Sequence, residues 1–192
     1  MNKLAVVIFT GLVYGGMGMA SASDTLQNTA SIGYAFSHIN DYGNLNGVNL
    51  SYRYEFTPEW GVLGSFTWAG ANKSDDSDLG YNEHYKYNNK VNYYSVLAGP
   101  VYRINDFVSI YGQIGLAYLK SHGSESYSYE DFHDNDNYSR NKAGFAYGAG
   151  VQFNPVESVA LTVGYEGASF SSDDNYESIN TNGFNVSVGY RF

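Results

Sequence analysis

The chain has 192 residues, the size of one domain, and no cysteine, so a disulfide framework is excluded. Its formal net charge of −9 argues against nucleic acid as a partner. Tyrosine occurs 20 times and glycine 22 times, against 3 prolines, a composition that points to β-structure with an unusual surface.

The chain opens on MNKLAVVIFTGLVYGGMGMASAS. Lys3 precedes an uncharged, apolar and glycine-rich run from Leu4 to Met19, and Ala20, Ser21 and Ala22 follow in an A-x-A pattern. This predicts a secretory signal peptide over 1–22, cleaved after Ala22, and a mature domain over 23–192. The run is short for a membrane helix, and no later run reaches the roughly 20 apolar residues that a helical span needs.

Beyond residue 23 the pattern alternates. Strands are predicted at 28–37, 46–56, 60–71, 90–103, 107–121, 141–154, 158–169 and 181–192. Short turn signals join some of them: TPE at 57–59, IND at 104–106 and NPVES at 154–158. The remaining connections are polar and longer, at 38–46, 72–90, 121–141 and 170–182. Short turns at one end and long loops at the other describe an antiparallel up-and-down meander.

One face of each strand is apolar. Val48, Leu50, Tyr52, Tyr54 and Phe56 alternate with Asn49, Ser51, Arg53 and Glu55. Val159, Leu161, Val163 and Tyr165 alternate with Thr162 and Glu166, and Phe184, Val186, Val188, Tyr190 and Phe192 with Asn185, Ser187 and Arg191. In a soluble barrel the second face would be wet and rich in Lys and Glu. Here it is small and sparsely charged, as a crowded interior requires, and the apolar face then meets lipid. Aromatics near strand ends, such as Trp60, Trp68, Tyr102 and Tyr118, suit the two membrane interfaces. Because hydrocarbon tolerates no unpaired strand edge, the eighth strand must pair with the first. The predicted fold is an eight-stranded antiparallel up-and-down transmembrane β-barrel.

GVNLSYRYEF at 47–56, WGVLGSFTWAG at 60–70, AGPVYRINDFVSIYGQIGLAY at 98–118, FAYGAGVQFNPVESVALTVGYE at 145–166 and VGYRF at 188–192 resemble the Ail/Lom family of enterobacterial outer-membrane proteins. The resemblance covers nearly all of the predicted mature domain. It implies a monomeric barrel without an open pore, with periplasmic turns and extracellular loops, set among outer-membrane lipid and lipopolysaccharide. It also implies surface roles: adhesion, invasion or complement resistance through host surface, matrix or serum proteins. The alternative is a structural or stress-related barrel with no dedicated ligand. Tyr190 and Phe192 look like the signal read by the outer-membrane assembly machinery.

The stretch 121–141 offers the best binding candidates, Tyr127, Tyr129, Phe132, Tyr138 and Arg140, among several acids. Tyrosines bury contact area at low entropic cost. The four long stretches carry −1, −1, −4 and −3, a rim that favours a protein over a sulfated glycan. Arg53, Glu55, Glu166 and Arg191 face inward and are expected to pair as a lumen charge network. His133 beside Asp131, Asp134 and Asp136 shows no recognisable metal spacing. His122 and Ser124 share a face if their strand continues, but no acid orients them, so no catalytic residue and no cofactor is expected.

Overall fold

The turn signals close through their own side chains. The Thr57 Oγ1 accepts a hydrogen bond from the Trp60 amide at 2.9 Å. Asn105 Oδ1 accepts from the amides of Phe107 and Val108, both at 2.9 Å. Asn154 Nδ2 donates to the Val159 carbonyl at 3.1 Å. Such side chains give the backbone a local partner and so end a ladder.

A computed structural model describes residues 28–40, 43–80, 83–129, 132–171 and 179–192, with 73–80, 83–87, 125–129 and 132–137 described as backbone. The signal peptide expected over 1–22 lies outside these residues. The strands are β1 (Asn28–Ile39), β2 (Gly43–Glu55), β3 (Trp60–Gly80), β4 (Glu83–Arg103), β5 (Val108–Tyr129), β6 (Phe132–Val156), β7 (Val159–Phe170) and β8 (Ile179–Arg191). Each is antiparallel to its neighbours in chain order, and β8 closes on β1 from Thr29↔Arg191 to Ile39↔Thr181. Two further backbone bonds, Asn28 N to Phe192 O at 2.9 Å and Phe192 N to Asn28 O at 2.8 Å, seal the base of the seam. No sheet edge remains at membrane height, as hydrocarbon requires.

The outer face is apolar. Ile114 is 65% exposed, Leu116 71% and Val96 62%, values that only a lipid surround makes tolerable for residues this apolar and this closely grouped. Aromatics bound this band. Trp60 and Tyr102 pack at 4.8 Å between centroids near the turn end. Toward the other end, Trp68, Tyr94 and Tyr118 share one cross-strand row.

Two features depart from the sequence reading. The stretches 72–90 and 121–141 are mostly strand rather than loop: β3 and β4 pair up to Gly80↔Glu83, and β5 and β6 up to Tyr129↔Phe132. β3 has 21 residues and β2 has 13, so the longer strands rise roughly 27 Å further along their axis. No continuous aliphatic face marks these stretches, and tyrosines set among acids and small polar residues read like a loop.

The second departure is inside. The half of the interior farther from the turns holds an apolar cluster, with Ile39, Leu45, Val91, Leu119 and Phe170 buried together beside a few hydroxyls such as Ser37 and Thr181. The inward face was expected to be small and polar throughout. The fourth strand held the signal: KVNYYSVLAG places Val91, Tyr93 and Leu97 inward while Tyr94 and Val96 face outward.

Candidate functional site

Three places on the barrel carry chemistry: its base, its middle and the sheet projecting above it.

At the base, Glu55 on β2 gathers three guanidinium groups. Arg103 Nη2 on β4 donates to both carboxylate oxygens, at 2.5 and 2.6 Å. Arg191 Nη2 on β8 donates to Oε2 at 2.8 Å. Arg53 Nη2 lies 3.0 Å from Oε1, an ion pair without hydrogen-bond alignment. Arg53 is 1% exposed and Glu55 4%. Arg103 was missed by the sequence reading. The available signal was a repeated dipeptide: Tyr52-Arg53, Tyr102-Arg103 and Tyr190-Arg191 each place a tyrosine outward and an arginine inward near the turns. A cavity of about 930 Å³ opens below Glu55, Arg103 and Arg191, walled by the three turns.

In the middle stands Glu166 on β7, which joins no arginine of the base cluster. Its carboxylate accepts from Tyr93 Oη at 2.6 Å, Ser95 Oγ at 2.5 Å and Thr67 Oγ1 at 2.9 Å. Three hydroxyl donors solvate the anion in place of water. The expected single network is therefore two clusters: Arg53, Glu55 and Arg191 meet at the base with Arg103, and Glu166 is held separately. Between them Asn49, Ser65, Tyr111 and Gln113 leave an internal space of about 10 Å³, room for a single water at most.

Tyr111 sets that narrowness. A Cβ on Gly150 would lie 2.5 Å from the Tyr111 Cζ, so glycine is what lets the ring lie flat across the wall.

Above the rim, Tyr127 and Tyr129 fall on β5 and Phe132, Tyr138 and Arg140 on β6, all in paired strand. The Tyr138 ring lies over Gly123, where a Cβ would come within 2.6 Å of its Cε2. Arg140 stands opposite Ser121 and is exposed. The acid group near His133 is split by register, for His133 pairs with Ser128 while Asp134 and Asp136 pair with Tyr127 and Glu125 on the other face. Asp131 lies outside the described residues. β5 does continue through His122 and Ser124, but their register partners are Lys90 and Ser139, and Asn88 and Asn137, none of them an acid.

The family model for enterobacterial Ail/Lom proteins matches residues 1–192. The virulence membrane protein PagC of Salmonella typhimurium is 34% identical over 188 residues, covering 97% of this chain and 98% of that protein. Outer membrane protein X of Escherichia coli K12 is 39% identical over 175 residues, 90% of each. The attachment invasion locus protein of Yersinia enterocolitica is 38% identical over 171 residues, 86% of each. Among solved structures, Ail of Yersinia pestis in complex with the heparin analogue sucrose octasulfate superposes with a TM-score of 0.63. It is 37% identical and covers 86% of this chain and 99% of that one. The matches run over most of each relative's length as well as most of this chain. The chain belongs to the enterobacterial Ail/Lom family and is an eight-stranded β-barrel of the outer membrane.

Proposed function

We propose that the projecting end of the barrel binds host surface, matrix or serum proteins, in adhesion, invasion or complement resistance. The observation that carries this reading is the paired sheet of β3 to β6 extending beyond the aromatic row, with tyrosines in its strands. Relatives named for virulence and attachment support it. A strand-paired backbone presents tyrosines at lower entropic cost than an unpaired loop would.

The test uses the folded protein in nanodiscs, exposed to serum and matrix extract. A variant with 73–88 and 123–138 replaced by tight turns keeps the barrel. Capture of defined proteins by the parent and not by the shortened variant is expected. Equal capture by both sinks the reading.

The sulfated ligand of the Yersinia pestis relative is the competing chemistry. The acidic stretches of this chain weigh against it at long range. Weak binding of sucrose octasulfate that does not strengthen as salt falls is the result that fits, and strong binding that rises steeply at low salt overturns it.

We further propose a barrel that conducts no ions, with the apolar cluster above and the side chains around Tyr111 below filling the interior. Steady ion-selective current through single barrels in planar bilayers contradicts this. Lipopolysaccharide is the expected outer-leaflet neighbour, and monomer the working state.

Tyr190 and Phe192 are proposed as the pair read during assembly. Both are outward and exposed, and their rings stack at 6.1 Å. Phe192→Ser is expected to lower the heat-modifiable, assembled form in cells at least several-fold, while folding into detergent micelles is unchanged. Equal losses in both settings assign the residue to stability alone.

A further inference from the structure

The register sorts the projecting sheet into two chemically different faces. Side chains alternate along a strand, and cross-strand partners share a face. Tyr138 pairs with Gly123, whose partner is Asn89, and that row continues the face that lines the interior below. The next row on this face holds Asp75, Tyr87, Glu125 and Asp136. Above it come Ser77, Tyr85, Tyr127 and Asp134, then Glu83, Tyr129 and Phe132. Every aromatic of 83–89, 123–129 and 132–138 therefore falls on one face.

The opposite face holds none of them. Its rows are Ser74, Asn88, Ser124 and Asn137, then Asp76, Lys86, Ser126 and Asn135. The composition of the stretch as a whole hides this division, because the period of two interleaves the faces in the sequence.

We infer that the aromatic and acidic face of β3 to β6 is a docking surface for a cationic, arginine- or lysine-rich protein segment. Charge complementarity selects the occupant. Five carboxylates, those of Asp75, Glu83, Glu125, Asp134 and Asp136, share the face with the tyrosines. Lysine and arginine occur on that face only lower down, at Lys73, Arg140 and Lys142. A guanidinium binds both to a carboxylate and to the face of a tyrosine ring, so alternating rings and acids suit it twice. A polyanion meets the wrong sign here. The inference rests on the proposal that this end of the barrel meets host proteins, and it names the chemistry of the segment they present.

The test uses the full-length folded protein in phosphatidylcholine nanodiscs at physiological salt. The probes are a labelled peptide of alternating Arg and Ser, its Glu-for-Arg counterpart, and sucrose octasulfate. The Arg peptide is expected to bind and the other two to bind at least tenfold more weakly. Tyr85→Ser with Tyr127→Ser, and separately Glu125→Gln with Asp136→Asn, are each expected to weaken the Arg peptide about tenfold, the scale of lost hot spots. Ser126→Ala with Ser128→Ala, on the opposite face, is expected to leave it unchanged. Heat-modifiable gel mobility confirms that each variant is folded. Equal loss from both faces, or binding of the octasulfate in preference to the Arg peptide, overturns the inference. Serum-protein capture that survives both pairs of face substitutions also overturns it, while host binding stands. Peptide binding with no serum or matrix protein captured removes the host reading and leaves the face.

Discussion

Glu55→Ala is expected to destabilise the folded barrel by about 3–5 kcal/mol, the range for breaking a buried ion pair from one side. The substitution leaves Arg53, Arg103 and Arg191 crowded together without the carboxylate they share. The desolvation of three guanidinium groups is then uncompensated, and they repel one another. The three strands joined by Glu55 matter as well. β2, β4 and β8 meet at this one side chain, so its loss loosens the base where β8 closes on β1. Glu55→Gln keeps the shape and an acceptor but not the charge, and should fall between Ala and the parent. Arg53→Met behaves differently. Arg53 Nε and Nη1 have no hydrogen-bond acceptor among the described residues, so this change is expected to be within about 1 kcal/mol of neutral. Urea titration of the barrel folded in lipid vesicles measures all three. A loss below about 1 kcal/mol for Glu55→Ala shows that the cluster is solvated and not a clasp.

Ile114→Arg is expected to lower stability in bilayers by about 2–4 kcal/mol, the penalty for a cation at the midplane of a barrel wall. Ile114 is outward and lies on β5 midway between Ile110 and Tyr118. Ile110→Arg, nearer the turns, should be milder, because the cation can reach the interface. The same change on the wet surface of a soluble barrel would alter stability by about 0.5 kcal/mol or less. The gradient from Ile110 to Ile114 therefore reports the lipid surround directly. A flat response along the strand, measured in the same vesicles, would falsify the outward assignment of this face.

Much of the barrel was legible in the order of residues. The alternation of Val48, Leu50, Tyr52 and Tyr54 with Asn49, Ser51 and Arg53 named both faces of β2, and the exposure of Tyr54 against the burial of Arg53 agrees. The turns at 57–59 and 104–106 were legible because Thr57 and Asn105 carry their own acceptors. The extent of β3 to β6 was not. Above the membrane the alternation is carried only by a few aromatics, as in Tyr85-Lys86-Tyr87 and Tyr127-Ser128-Tyr129, among acids and small polar residues, and such stretches read as loops. The interior apolar cluster was hidden because Tyr93 and Leu97 stand beside the outward Tyr94 and Val96, so apolar residues on the two faces of β4 adjoin and the alternation is masked.

The candidate sites divide the same way. By itself the sequence determined which residues point inward, since parity along one strand is a local property. It thereby singled out Arg53, Glu55, Glu166 and Arg191. Which of these meet was decided only by the tertiary structure. Glu55 finds Arg191 across 136 positions of chain because closure brings β8 beside β1 and β1 beside β2. Glu166 finds Tyr93, Ser95 and Thr67 across the lumen. Height in the barrel depends on the register of every pair between two strands, and register is a relation between strands that no single strand contains.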